Sequence, residues 1–228
     1  MIVELEPSVF IKDLLMAFFL FIYILIIVMI VTKQLYKYMI NKGLPKNVAV
    51  YYNRKIIHIT SGGLIAFLTP VIFAEPFTPF IFSIILAFIT LYPHLTGNLF
   101  EWFQTKDNLY EVNFCIAWGS SVLILWIMFN NPWISILPAL FVSLGDAATG
   151  IVRNTLFRKR TKHWIGNIAM AVVTAPIGYI FAGISGVIAG VAASIIERFE
   201  YKIIDDNILI VLISTLILLI LWPATHLL

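Results

Sequence analysis

The sequence predicts an all-α, polytopic membrane protein. It reads as a single integral membrane domain over residues 1–228, with about eight (seven to eight) transmembrane helices and its candidate active-site loops on the cytoplasmic face. Three observations lead there. Apolar residues make up 61% of the chain and charged ones only 12%, far from the composition of a soluble domain. Leu14 to Val31 is an unbroken apolar run of bilayer length. Every lysine and arginine except Lys12 falls in alternate connections between apolar segments, as short cytoplasmic loops require.

Hydropathy and turn signals divide the chain into segments near 11–32, 56–73, 77–92, 112–129, 133–151, 166–182, 184–196 and 207–222. The first is expected to be retained, not cleaved as a signal peptide. Glu4, Glu6 and Asp13 make its start acidic, its apolar stretch is too long, and no small-residue cleavage site comes after it. A basic loop from Lys33 to Lys55 leads into the second segment, and the uncharged turn Ala74 to Pro76 separates it from the third. Lys106 lies between the third and fourth, and Asn130 to Pro132 connects the fourth and fifth. The basic stretch Arg153 to Lys162 comes after the fifth, Gly183 marks the reversal after the sixth, and Arg198 and Lys202 precede the eighth. The seventh, about thirteen residues long, is short for a perpendicular span and allows a re-entrant segment. Both termini are then outside, in a cell or endomembrane. Gly183, Gly186 and Gly190 with Ala182, Ala189 and Ala193 form small-residue patterns that suit close helix packing. The lone Cys115 excludes an internal disulfide framework.

Four polar clusters stand at the edges of these segments. Asp146 is an acid at the end of the apolar run Trp133 to Gly150, and an ionisable residue at membrane depth is costly enough to imply a cavity, a cation or a substrate path. Gly145 and Gly150 flank it, Gly150 sharing a helical stripe with Asp146, Arg153 and Asn154, so that a ligand can approach the backbone beside the carboxylate. Arg54, Lys55 and His58 converge at the mouth of the second segment, a grouping that suits an anion or, for the first two, acidic lipid headgroups. Arg158, Lys159 and Arg160 read as determinants of topology, whereas Lys162, with His163, Trp164 and Gly166 opening the next segment, is placed to reach phosphates at a helix N-terminus. Glu197, Arg198 and Glu200, then Asp205, Asp206 and Asn207, offer hard oxygen ligands of the kind Mg²⁺ accepts together with substrate phosphates. Two cationic and two acidic clusters on one side are the parts phosphoryl or nucleotidyl transfer needs. No Walker or kinase glycine loop is present.

Arg54-Lys55 with His58, Gly145-Asp146, Lys162 with Gly166-Asn167-Ile168-Ala169-Met170, and Asp205-Asp206-Asn207 resemble, in order and spacing, the signatures of the CTP-dependent polyprenol kinase family that includes dolichol and phytol kinases. The segment after Lys162 looks closer to the phytol kinase type. The chain departs from the family in carrying Arg153 where glycine is common and His163 where a small hydroxyl residue is common. The resemblance implies CTP as phosphoryl donor, Mg²⁺ as cofactor, and a bilayer isoprenoid alcohol as acceptor, with no nucleic-acid partner. On that reading Asp146, Lys162 and His58 are catalytic. Arg54, Lys55, Gly145, Gly150, Arg153, Asn154, Lys162, His163 and Gly166 bind the nucleotide, while Asp146, Glu197, Asp205, Asp206 and Asn207 hold the metal. A lipid-phosphate cytidylyltransferase is the nearest alternative. A secondary transporter fits less well, because its ionisable groups belong near the midplane.

Overall fold

The computed structural model of the chain describes residues 7–158, 161–199 and 204–226, without the side chains of Thr225 and His226. Glu4, Glu6, Lys159, Arg160, Glu200 and Lys202, named above for topology or acidity, lie outside the described residues. Every regular element among the described residues is helical. Among the described residues seven helical stretches are long and apolar enough to cross a membrane: α1 (Pro7–Asn41), α2 (Lys46–Ile72), α3 (Phe77–Thr96), α4 (Tyr110–Phe129), α5 (Pro132–Phe157), α6 (Trp164–Ile196) and α7 (Asp206–His226).

The expected elements 166–182 and 184–196 follow one another without a gap in α6, a 33-residue stretch that reverses on itself at Gly183, so its two arms correspond to the sixth and seventh expected segments. Gly183 adopts φ +57°, which a side chain would resist, and Ala182 beside it leaves the helical region. Residues that would be far apart on a straight helix are then in contact. Thr174 Oγ1 donates to the Gly190 carbonyl at 2.9 Å, Asn167 Nδ2 donates to the Ser194 carbonyl, and the backbones of Gly178 and Gly186 touch. Residues 164–181 and 184–196 are therefore antiparallel arms, and the start and end of α6 lie together. A methyl group at Gly186 would collide with the Gly178 carbonyl. Gly186→Ala is expected to cost about 1–3 kcal/mol by forcing the arms apart, read as a lowered unfolding midpoint in detergent.

The polar stretch between Lys33 and Lys55 is mostly helix rather than loop. α1 continues to Asn41 and α2 begins at Lys46, leaving a four-residue turn with Gly43 at φ +83°. Hydropathy marks where apolar residues stop, and a helix can go on past that point. α5 is the axis of the bundle. Its Ile136, Leu137, Leu140, Phe141 and Val142 are fully enclosed, packed with Leu125, Met170, Ile210 and Leu218. α1 is peripheral and mostly exposed along its apolar length. It is pinned at one end where Ala74 N donates to Asp13 at 2.8 Å. Near its other end Trp102 Nε1 donates to the Val28 carbonyl and Asn53 Nδ2 to the Thr32 carbonyl.

Two of the three π-helical turns fall beside the polar clusters, His58–Gly63 in α2 and Phe141–Gly145 in α5, and they face one another. A π turn inserts an extra residue and rotates the side chains on one side of it relative to those on the other, so these bulges set the heading of His58 and Asp146.

Candidate active site

Lys55 and Asp146, 91 residues apart, form the centre. Lys55 Nζ donates to Asp146 Oδ2 at 2.5 Å with both side chains almost fully buried. His58, one turn deeper on α2, brings Nδ1 to 3.2 Å from the same oxygen but without hydrogen-bond alignment. Its ring stacks on Phe114 at 4.3 Å. Gly150 makes room for this pair, since a Cβ there would strike Lys55 Cε and Tyr51 Oη. Gly150→Ala is expected to push Lys55 off Asp146 and to cost about 1–3 kcal/mol, read as a lowered unfolding midpoint in detergent.

Two further acids close in on Asp146. Ligand oxygens of Asp146, Glu197 and Asp206 all lie within 4.8 Å of one another. Glu197 arrives from the end of the α6 hairpin and Asp206 from the first turn of α7, so the fold at Gly183 is what brings Glu197 back to the site. Lys162 ties them, donating to Asp206 Oδ2 at 2.8 Å, to the Glu197 carbonyl at 2.8 Å and to Glu197 Oε1 at 3.2 Å. Burial would lower the Lys162 ammonium, but Asp206 and Glu197 outweigh it and hold the group above the usual lysine range. Arg54 covers the Tyr110 ring at 4.2 Å. Tyr51, Arg54, Lys55, Arg153, Lys162, Glu197 and Asp206 line a narrow polar opening.

Other residues expected to bind the nucleotide or metal have partners within the protein. Arg153 is buried and spends three nitrogens: Nε donates to the His163 carbonyl at 2.9 Å, Nη1 to Glu197 Oε1 at 2.8 Å and Nη2 to Asn167 Oδ1 at 2.9 Å. It ties α5 to both arms of α6, and its place beside Gly166 explains why that position has no side chain. Gly145 packs on Thr174 and Met170. His163 is exposed and caps α6, its Nδ1 accepting from Ile165 N at 3.1 Å. Asp205 is turned away from the trio. It accepts from Ile208 N at 3.1 Å as the α7 cap and from Asn113 Nδ2 at 3.1 Å. Burial, then the neighbouring Asp206, push its carboxyl up to about 6. Asn207 donates to the Tyr110 carbonyl at 3.1 Å and so ties α7 to α4. Asn154 is buried, and its Nδ2 has no partner. It lines a second, wider polar cleft with Arg54, Tyr51 and Tyr110.

Sequence reasoning missed Tyr51, which lies 5.1 Å from the Lys55 ammonium and stands one helical turn before it, a spacing that could have pointed to it. It also missed Tyr110 and Asn113, which carry no local signal.

The donor set suits Mg²⁺. Three carboxylates converge in a buried place, and hard oxygens are what that ion takes when it also binds phosphates. Lys55, Lys162 and Arg153 neutralise the three acids as they stand, so a bare divalent cation would unbalance the site, whereas a cation arriving with a triphosphate would not. Comparison of the chain with protein-family models, with curated proteins and with solved structures gives no match.

Proposed function

We propose that this chain is a CTP-dependent polyprenol kinase that transfers the γ-phosphoryl group of CTP to the hydroxyl of a bilayer isoprenoid alcohol, giving a polyprenyl phosphate and CDP. The observation that carries the reading is the buried trio Asp146, Glu197 and Asp206, interlaced with Lys55 and Lys162. It adjoins a polar opening on one side and an apolar groove on the other, and Arg54 lines both. A reaction joining a triphosphate to a lipid needs that junction.

In this reading Asp146, Glu197 and Asp206 hold Mg²⁺, which supplies charge neutralisation across the transferring phosphates. Arg54, Lys55 and Lys162 bind the γ-phosphate oxygens, Lys55 and Lys162 trading part of their carboxylate contacts for phosphate ones. The bond from phosphorus to the β,γ-bridging oxygen breaks as the bond to the prenol oxygen forms. The hydroxyl proton passes to His58 or to the Asp146 carboxylate, a small demand because the loose transition state needs little base assistance. The α6 hairpin and Arg153 keep the acids in register. The reading puts this end of the bundle on the cytoplasmic face, with α1 beginning and α7 ending on the other, and the gathering of basic residues at this end supports it.

The test is purified full-length protein in micelles with Mg²⁺, CTP labelled at the γ- or the α-phosphate, and alcohols from farnesol to dolichol length. The reading expects γ-label on the lipid, CDP released, and loss of transfer with EDTA. Transfer of α-label with release of pyrophosphate would make the chain a cytidylyltransferase instead.

A further inference from the structure

An apolar groove, open along part of its length, runs between α1 and the wall made by α2, α3 and α4. Its far end is closed by Ala17, Phe73 and Pro79, and its near end reaches Arg54 and His58. From His58 to Phe73 is 15 residues of α2, or roughly 22 Å at about 1.5 Å per residue, more than half of the ~30 Å hydrocarbon core of a bilayer.

The polar groups along this groove are not alike. Ser83 Oγ donates to the Phe80 carbonyl at 2.7 Å, Thr90 Oγ1 to the Leu86 carbonyl at 3.0 Å, and Glu111 is 2.6 Å from His94 Nε2. They are satisfied. His58 Nδ1 and Ser61 Oγ, both on buried side chains, have no hydrogen-bond partner. Thr60, in the same π turn, and Thr69, further along α2, return their hydroxyls to carbonyls of the previous turn, whereas Ser61 does not. An unpaired serine hydroxyl and an imidazole nitrogen with only a misaligned contact to Asp146, in one widened turn at the head of an otherwise apolar groove, carry a cost that one small polar group would reduce.

We infer that the groove under α1 is the binding channel of the acceptor alcohol, with the hydroxyl held between His58 and Ser61 and the chain running toward Ala17, Phe73 and Pro79. A hydroxyl both donates and accepts, so it can serve the imidazole and the serine together. That position puts the alcohol oxygen beside Asp146, whose Oδ2 is 3.2 Å from His58 Nδ1. The other end of the ligand must be apolar, because nothing unpaired lines the groove there among the described residues. Ser61 is thus a specificity residue for the head of the acceptor, and Ala17 sets the chain length the channel admits. The identity of the reacting alcohol rests on the kinase reading, but its binding does not.

The experiment is photolabelling of the full chain in nanodiscs, without nucleotide, by geranylgeraniol carrying a diazirine on its terminal isoprene. The inference expects cross-links on α1 and α3 around Ala17, Leu20, Pro79 and Phe82. Labelling is expected to be competed by geranylgeraniol but not by the hydrocarbon phytane, and to weaken about tenfold in Ser61→Ala. Ala17→Phe should shift labelling toward the shorter farnesol analogue by a similar factor while leaving the unfolding midpoint in place. Cross-links spread over the exposed outer faces, or equal competition by phytane, would mean that the groove holds bilayer chains without recognition and would overturn the inference. Labelling as expected in a protein that moves no phosphate from CTP would refute the kinase reading and leave the channel standing.

Discussion

Asp146→Asn is expected to lower phosphoryl transfer at least a thousandfold and, in the same protein, to destabilise the bundle. On the kinase reading the activity loss would come from removing one of the three carboxylates proposed to hold the cation, together with the group that orients Lys55. The stability loss comes from burial: with its partner neutral, the Lys55 ammonium is left in an almost dry place, a defect that costs about 3–5 kcal/mol. The two effects separate in a second variant. Lys55→Met combined with Asp146→Asn removes both charges and is expected to recover most of the unfolding midpoint while activity stays lost. Recovery of activity with recovery of stability would mean that Asp146 is a structural anchor and nothing more.

Arg153→Lys should be nearly as damaging, although it preserves the charge. The guanidinium holds the His163 carbonyl, Glu197 and Asn167 from three different nitrogens, and an ammonium on a shorter stem cannot reach all three. Glu197 then loses its main restraint and the hairpin its tie to α5. A loss of about 3–5 kcal/mol is expected, measured as thermal unfolding in detergent, with activity falling in proportion to the folded fraction. A direct phosphate ligand would behave differently, raising the KM for CTP in a protein of normal stability.

The long apolar helices and the meeting of the polar clusters were legible in the sequence, because charge falls only at the edges of the apolar segments. The break at Gly183 was legible too, though hydropathy alone cannot say whether a short segment after a break crosses the membrane, re-enters it or lies back along its predecessor. What decides is the run of small residues at 178, 186 and 190, which lets two arms touch. Pairings were not legible, since nothing local to Lys55 names Asp146. The acidic run at the start of α7 shows a subtler limit. Asp205, Asp206 and Asn207 look equivalent as oxygen donors, but successive positions on a helix end face different ways, and only Asp206 turns to the site while its neighbours serve the α7 cap and α4. The partners of Arg153 were hidden for a related reason. A guanidinium among phosphate-binding candidates reads as a ligand until its donors are counted.

Whether Asp146, Glu197 and Asp206 hold the cation that carries the triphosphate is read directly by electron paramagnetic resonance with Mn²⁺ in place of Mg²⁺. One bound Mn²⁺ per chain is expected in the presence of CTP, with hyperfine coupling to phosphorus. Mn²⁺ without nucleotide should bind only weakly, and Asp206→Asn should weaken the complex by at least tenfold. Tight Mn²⁺–CTP binding that is unchanged by Asp206→Asn and by Asp146→Asn would contradict that reading.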